Sequence, residues 1–290
     1  MFKLISGKDL AITNAANFIS RLNQKKTHHI GFCGTDIQEI SKSIQEDLED
    51  ITYKDSFIGA TVNGELVGLI GADVDLGDGS AEVWGPFVDE SQAVDVALKM
   101  WEKLLELLPG AVKHFILFPN LENKLVSSFA EILQFEQQTD QIILSITESQ
   151  ALTYDGQHEE LMEADHKLFK SLHDIAFPDT YYDGQEIIER INDTQKVFVM
   201  KDSGRLAGYV YAEADPEFGD ASIEFIAVDP LMRGGGYGRK LLTAAVKWLF
   251  SFGSINTITL CVADDNPGAI KLYQSAGFQV EHRLHYFTKE

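Results

Sequence analysis

Basic residues are scarce in this chain: 24 Lys and Arg stand against 45 Asp and Glu, a formal net charge of −21. A surface of that sign repels phosphate backbones and anionic lipid, which argues against nucleic acid and membrane as partners. Cysteine is also rare. Cys33 and Cys261 lie far apart, and neither sits in a metal-type spacing, so no metal site is expected and reduced thiols are the plain reading. No run of 18 or more apolar residues occurs, and the N-terminal MFKLISGKDLAITNAANF lacks the apolar stretch of a signal peptide. A cytoplasmic location is the expectation. What the acidity attracts is cations: a small amine, a polyamine or a basic peptide segment, with solubility alone as the other use of the charge.

The 290 residues are 44% hydrophobic, enough for two ordinary domains. A repeat supports that division. VNGELVGLIGADVDLGDGSAEVWGPFVD (62–89) aligns without a gap to DSGRLAGYVYAEADPEFGDASIEFIAVD (202–229). Each copy has a turn (Asn63-Gly64, Ser203-Gly204), an apolar strand, an acidic loop and a second strand ending in Val-Asp. Further on, LENKLVSSFAEILQFEQ (121–137) matches DDNPGAIKLYQSAGFQVE (264–281), with Asn123 over Asn266 and Phe135 over Phe278. One unit of domain size thus occurs twice. In the second copy helical patterns fall at 157–175 and 184–191, and strands at 195–201, 205–213 and 221–228. An amphipathic helix carries Leu241, Leu242, Ala245, Trp248 and Leu249 on one stripe; a strand at 257–263 follows it. The next helix runs from Pro267 to Ala276, with Asn266 as N-cap and Gly277 as its stop. Interleaved helices and strands make this an α/β (α+β) chain.

Between strand 221–228 and its helix lies VDPLMRGGGYGRKLL. A glycine-rich strand-to-helix turn presents bare N–H groups in front of a helix N-terminus, which is an anion site suited to a pyrophosphate. The P-loop pattern fails here because Arg239-Lys240-Leu241 supplies no Ser or Thr. The dinucleotide fingerprint fails because residue 239 is Arg rather than Gly. A third pattern, [RQ]-x-x-G-x-[GA], is met by Arg233, Gly236 and Gly238.

With that loop, the IAVDP strand end before it and the RKLL helix after it, the second half resembles the GNAT acetyltransferase superfamily. The second signature of that family is present too, as Asn266, Ala269, Leu272, Tyr273, Gly277 and Phe278. The resemblance implies tandem GNAT-like domains at 1–146 and 147–290, each a mostly antiparallel mixed sheet flanked by helices. It implies acetyl-coenzyme A as co-substrate and no metal. The cofactor contacts it implies are Arg233, Gly234, Gly235, Gly236, Tyr237, Gly238, Arg239, Asn266, Ala269 and Tyr273. Backbone N–H groups among Ile226, Ala227 and Val228 would meet the developing oxyanion. Asn266 suits helix capping and cofactor contact alike.

Tyr273 occupies the place from which the family protonates the departing thiolate, although a core tyrosine with a wet hydroxyl is the other reading. The family's usual base position holds Ser222 here, and the glutamate of this strand, Glu224, comes two residues later. In a regular strand 222, 224 and 226 share a face, whereas a bulge would re-aim Glu224. Glu224 is therefore either the general base or an ordinary polar residue.

The first half has Glu82 opposite Ser222, but Ala130 opposite Tyr273, and no glycine between Gly85 and Gly110. It reads as a degenerate copy without a cofactor loop. For the acceptor, Phe177, Tyr181 and Tyr182 suit an apolar wall, Asp179 and Asp183 an ammonium clasp, and the hairpin Glu213–Asp220 added attraction; a solvated loop is the alternative. His158, His166 and His173 read as surface or capping residues. The expected function is acetyl transfer by direct attack of a primary amine, on a small molecule or a peptide, in a monomer or homodimer. A non-catalytic acetyl-coenzyme A-binding regulator and a transferase of a longer acyl group remain alternatives.

Overall fold

The computed structural model describes residues 2–48, 50–89, 94–151, 159–178 and 180–290. Two compact units emerge, one built from 1–141 and 282–290 and the other from 142–281. In chain order the first contributes β1 (Lys3–Ser6), α1 (Ile12–Asn23), α2 (Ile37–Lys42), α3 (Tyr53–Ser56), β2 (Phe57–Val62), β3 (Glu65–Asp75), β4 (Ser80–Val88), α4 (Val94–Leu107), β5 (His114–Leu117), α5 (Lys124–Ile132) and β6 (Glu136–Gln137). The second holds β7 (Gln141–Thr147), β8 (Glu159–Glu160), α6 (His166–Ala176), α7 (Gly184–Arg190), β9 (Gln195–Asp202), β10 (Arg205–Asp215), β11 (Asp220–Val228), α8 (Tyr237–Phe250), β12 (Thr257–Ala263), α9 (Pro267–Ser275) and β13 (Gln279–Leu284). The closing strand is β14 (Phe287–Lys289).

Among the described residues each sheet has seven strands, ordered β1-β2-β3-β4-β5-β14-β6 and β13-β7-β12-β11-β10-β9-β8. Most pairs are antiparallel, and β4 with β5 and β11 with β12 run parallel. The fold is thus a mixed, mostly antiparallel sheet flanked by helices, occurring twice. The terminal strands change one detail of the expected division. β14 enters the first sheet, where Phe287 lies opposite Leu117, whereas β7 enters the second between β12 and β13. Residues 282–290, assigned from sequence to the second domain, therefore belong with the first unit.

The repeat is visible in the backbone. β3 and β10 coincide at an offset of 140, as do β4 and β11, whereas α4 and α8 stand 143 apart. The difference of three lies in the strand-to-helix connection. Asn63 and Gly64 (φ 52° and 89°) have the same left-handed turn as Ser203 and Gly204 (φ 51° and 77°). Such a turn matches the twist of a hairpin. Helix α6 begins only at His166, later than the sequence pattern suggests, because β8 and a 3-10 turn occupy 159–160 and 163–165.

In the second unit the sheet is covered on both faces. On one side Leu241, Leu242, Ala245 and Leu249 of α8 join Tyr273 of α9 against Ala221, Ile223, Leu260 and Val262. On the other, Phe169 of α6 and Ile187 of α7 pack on Tyr209, Tyr211, Phe225 and Ala227. Burying apolar side chains of this kind contributes about 1.5–3 kcal/mol each, before the entropy of ordering the chain is subtracted.

Candidate active site

The site is laid out by β11. This strand pairs with β10 along its length, but its parallel register with β12 ends at Ser222 opposite Thr259. Beyond that point the two strands part, which leaves the β12-facing edge of Ile226, Ala227 and Val228 without a strand partner in that register.

A bulge decides which way β11 presents its side chains. Tyr211 lies opposite Phe225, yet the next residue, Ala212, lies opposite Ile223, so Glu224 is the extra residue. Ala221 and Ile223 enter the α8–α9 core, Phe225 and Ala227 the α6–α7 core, and Ile226 and Val228 return to the first. Two successive residues, Glu224 and Phe225, therefore share the α6–α7 face. The bulge keeps Glu224 beside Ser222, whose hydroxyl donates to its Oε1. It moves Ile226 to the opposite face, unlike the regular alternation that would put 222, 224 and 226 together.

The glycine loop follows a 3-10 turn at Pro230–Met232 that Asp229 caps through Leu231 N–H (2.9 Å). Arg233 leans back on the strand, its Nε donating to the Val228 carbonyl at 3.3 Å. Gly234 and Gly236 take φ of 84° and 77°, a region costly for any residue with a Cβ. Gly238 is needed for proximity instead: a Cβ there would lie 3.2 Å from Leu272. Gly236 is the N-cap of α8 and offers no side-chain cap. The amides of Tyr237, Gly238 and Arg239 thus open a fourteen-residue helix uncapped, while the Lys240 amide already bonds Gly236 O. Arg239 and Lys240 stand in this first turn with no acid, an arrangement that opposes the helix dipole unless an anion joins them. Gly235 is exposed, and the Tyr237 hydroxyl is tied to Asp202 at 2.9 Å.

On α9, Asn266 caps the helix through the Ala269 amide (3.1 Å). Ala269 is half-buried against the α8–α9 core. Tyr273 is only 7% exposed, and its hydroxyl makes no hydrogen bond among the described residues. Burial, then the neighbouring Cys261, push that hydroxyl up to about 12. It stays protonated at every pH where the protein would work.

The α6–α7 face carries the rest. Tyr181, in the α6–α7 loop, donates to Glu224 Oε2 at 2.5 Å and lays its ring on Phe225 at 5.0 Å. Tyr182 and Phe177 adjoin it, with ring centroids 4.9 Å from Tyr181 and 5.1 Å from Phe225 respectively. Arg190 covers the Tyr182 ring at 4.2 Å and pairs with Glu213 at 3.4 Å. Tyr211 also donates to Glu213.

Two expectations change here. Asp183 is no ammonium clasp: it caps α7 through the amides of Gln185 (2.6 Å) and Glu186 (2.9 Å) and faces Lys170. His173 is neither a surface nor a capping residue. It is fully buried, with Nδ1 2.5 Å from the Tyr209 hydroxyl and Nε2 2.8 Å from Tyr182 O. Burial lowers its pKa, so it is held neutral as a brace for the loop. His166 is half-buried at the start of α6. Asp179 and His158 lie outside the described residues. Sequence reasoning missed the Tyr181–Glu224 contact, which links the α6–α7 loop to β11 across a separation no spacing encodes. Among the described residues, no three His, Cys, Asp or Glu side chains form a metal-type group, and no helix is long and apolar enough to cross a membrane.

Residues 159–278 match the acetyltransferase (GNAT) family. The chain is 42% identical over 69 residues to a ribosomal-protein-alanine N-acetyltransferase of Haemophilus ducreyi, 23% of this chain and 47% of that protein. It is 30% identical over 127 residues to a mycothiol acetyltransferase of Thermobispora bispora, covering 39% and 43%. A spermidine N(1)-acetyltransferase of Vibrio cholerae is 30% identical over 115 residues, covering 37% and 66%. The matched stretch thus spans about half the length of the first of these relatives. Across the whole chain, a GCN5-related N-acetyltransferase of Sphaerobacter thermophilus superposes with a TM-score of 0.74 at 16% identity, covering 100% of this chain and 95% of that one. A tandem GNAT protein from the clavulanic acid biosynthesis pathway gives 0.64 at 13%, covering 100% and 98%.

Proposed function

We propose that this chain, which belongs to the GNAT superfamily, transfers an acetyl group from acetyl-coenzyme A to a cationic primary amine. The observation that carries the reading is the parting of β11 and β12, with Glu224 on the one and the unbonded Tyr273 hydroxyl beside the other. The residues present fit the co-substrate. Gly234 and Gly236 have nothing within 4 Å of where a Cβ would stand, so their loop is bare backbone before an uncapped helix. Arg233, Arg239 and Lys240 supply positive charge there in a chain of net charge −21. A pyrophosphate is the anion that such a cradle suits.

Bound at that loop, acetyl-coenzyme A supplies a thioester as acyl donor. The chain's own groups would then divide the work. Glu224 accepts a proton from the incoming ammonium, directly or through water, and Tyr273 gives one to the departing thiolate. Amides among Ile226, Ala227 and Val228 stabilise charge that develops on the acyl oxygen. Phe177, Tyr181, Tyr182 and Phe225 form an aromatic wall beside the carboxylates of Glu224 and Glu213, which favours an alkylammonium. The first unit we read as support only. Trp84 stands where the second unit has Glu224, and α4 starts without a glycine turn.

The test is incubation with acetyl-coenzyme A and a panel of polyamines and basic peptides, followed by free-thiol release. Thiol release with at least one amine is expected; none with any, although the co-substrate binds, would leave a non-catalytic sensor. One contact favours that second reading: both Glu224 oxygens are already engaged, by Tyr181 and Ser222.

A further inference from the structure

Tyr181 is 61% exposed, yet its hydroxyl meets one defined partner, Glu224 Oε2 at 2.5 Å. An exposed tyrosine keeps a single direction only if its backbone is held, since ordering a free loop costs entropy. The three residues after it supply that hold. The Tyr182 carbonyl meets His173 Nε2 at 2.8 Å, and its ring lies under Arg190 at 4.2 Å. The Asp183 amide donates to Glu186 Oε2 at 2.6 Å, and the Gly184 amide to Asp174 Oδ1 at 2.9 Å.

His173 is the buried member of this set. A carbonyl only accepts, so Nε2 carries the ring proton and Nδ1 accepts from the Tyr209 hydroxyl at 2.5 Å. Tyr209 is itself fully buried on β10, opposite Ala227 of β11. The imidazole also meets Phe225 edge-on, with ring centroids 4.9 Å apart. It therefore touches the loop on one side of the Tyr181–Glu224 contact and the strand on the other. Neither proton transfer assigned to Glu224 and Tyr273 passes through it.

We propose that His173 and Tyr181 are positioning residues for Glu224: the imidazole fixes the loop, and the tyrosine hydroxyl fixes the carboxylate for the incoming amine. The inference rests on the acyltransferase reading above. Engagement by Tyr181 and Ser222 does not close the carboxylate, because its two oxygens offer about four lone-pair sites and these donors take two. A base that is itself oriented by a third group is what such chemistry needs.

Tyr181→Phe keeps the ring on Phe225 and removes only the donor. With an amine that gives thiol release in the parent, kcat should fall by about 10–100-fold, since small misplacements of reacting groups cost that much. Calorimetric affinity for acetyl-coenzyme A should stay unchanged. His173→Leu should lower kcat by a similar factor. Because His173 acts through Tyr181, the double variant should be no slower than Tyr181→Phe alone. A parental kcat in Tyr181→Phe would overturn the inference and leave the acyltransferase reading standing. That exposed change leaves the core untouched, so it reports whether or not His173→Leu folds. Losses that multiply in the double variant would also overturn the inference, as they mark His173 as a packing residue only. No thiol release by the parent with any amine would overturn both.

Discussion

Replacing Tyr273 by Phe removes one hydroxyl and almost nothing else. The ring stays packed against Phe278, 6.0 Å between centroids, in the α8–α9 core. Because the hydroxyl has no partner among the described residues, no hydrogen bond is lost. A buried unsatisfied polar group costs about 1–3 kcal/mol, and at 7% exposure some of that cost is already relieved by solvent. Tyr273→Phe should therefore be neutral to mildly stabilising, with a melting temperature unchanged or raised by about 2–4 °C. The reaction should respond in the opposite sense. Loss of a positioned general acid lowers turnover by about 10²–10⁴-fold, which is roughly 3–5 kcal/mol of barrier. Since the wild-type hydroxyl titrates only near 12, it adds no inflection to the pH–rate profile below about pH 10. The assay pairs steady-state thiol release with calorimetric binding of acetyl-coenzyme A and a thermal melt. Turnover within threefold of the parent, at unchanged binding, would refute the role of Tyr273. A drop in melting temperature would refute the structural reasoning separately.

Gly236→Ala forces a Cβ into φ 77°, at a cost of about 1–2 kcal/mol. If the loop reshapes to escape it, acetyl-coenzyme A affinity should fall about tenfold for each 1.4 kcal/mol, as calorimetry would read; unchanged affinity would remove the loop from the site. Glu224→Gln should alter the shape of the pH–rate profile as well as its height, and an unaltered profile points to another base or to solvent. Titration calorimetry should find one acetyl-coenzyme A per chain; two would mean that the first unit binds as well. Glu82 keeps one side open to solvent, yet loss of water around its carboxyl, then the Asp73 charge opposite, push it from 4.5 up to about 7. A folded-state value above the unfolded one means that this carboxyl's own contribution to stability is fully present below pH 4.5 and is lost as pH rises through 7. Glu82→Gln should accordingly raise the melting temperature at pH 8, with the gain vanishing near pH 4.5.

The strands of the repeat were legible because their pattern is local. A turn that needs positive φ at Asn63-Gly64 and Ser203-Gly204, followed by an apolar run, can be read from adjacent residues. The cap of Asn266 and the glycine turn were legible for the same reason. What escaped depends on contacts distant in sequence. Tyr181 reaches Glu224 across 43 positions, and His173 reaches Tyr209 across 36. Asp183 looked like an ammonium ligand because a carboxylate beside aromatics suits one. The capping box Asp183–Glu186 claimed it first, since four uncapped amides at a helix start are a more certain partner than a ligand. The exchange of β7 and β14 between sheets was also invisible, because strand patterns name a strand but not its neighbour.

The bulge in β11 separates what the fold dictates from what the second unit adds to it. The first unit breaks register at the corresponding place: Leu69 lies opposite Phe87 but Gly71 opposite Trp84. A distortion present in both copies cannot by itself mark the working one, and its cause is the common strand geometry. What differs is the chemistry delivered by it. In the first unit the position beside the break holds an indole, Trp84, paired opposite Gly71, buried and 6.0 Å from the Phe57 ring. In the second the bulge carries a carboxylate, turned to the face where Tyr181 and Ser222 meet it. The three-residue extension that separates the offsets 140 and 143 lies directly after that strand, and there the second unit has its glycines. Carboxylate, open turn and the Tyr273 hydroxyl therefore differ between copies as a set. A single drifted position would be expected to vary alone, so their joint presence argues that one chemical task, rather than packing, keeps them together in the second unit.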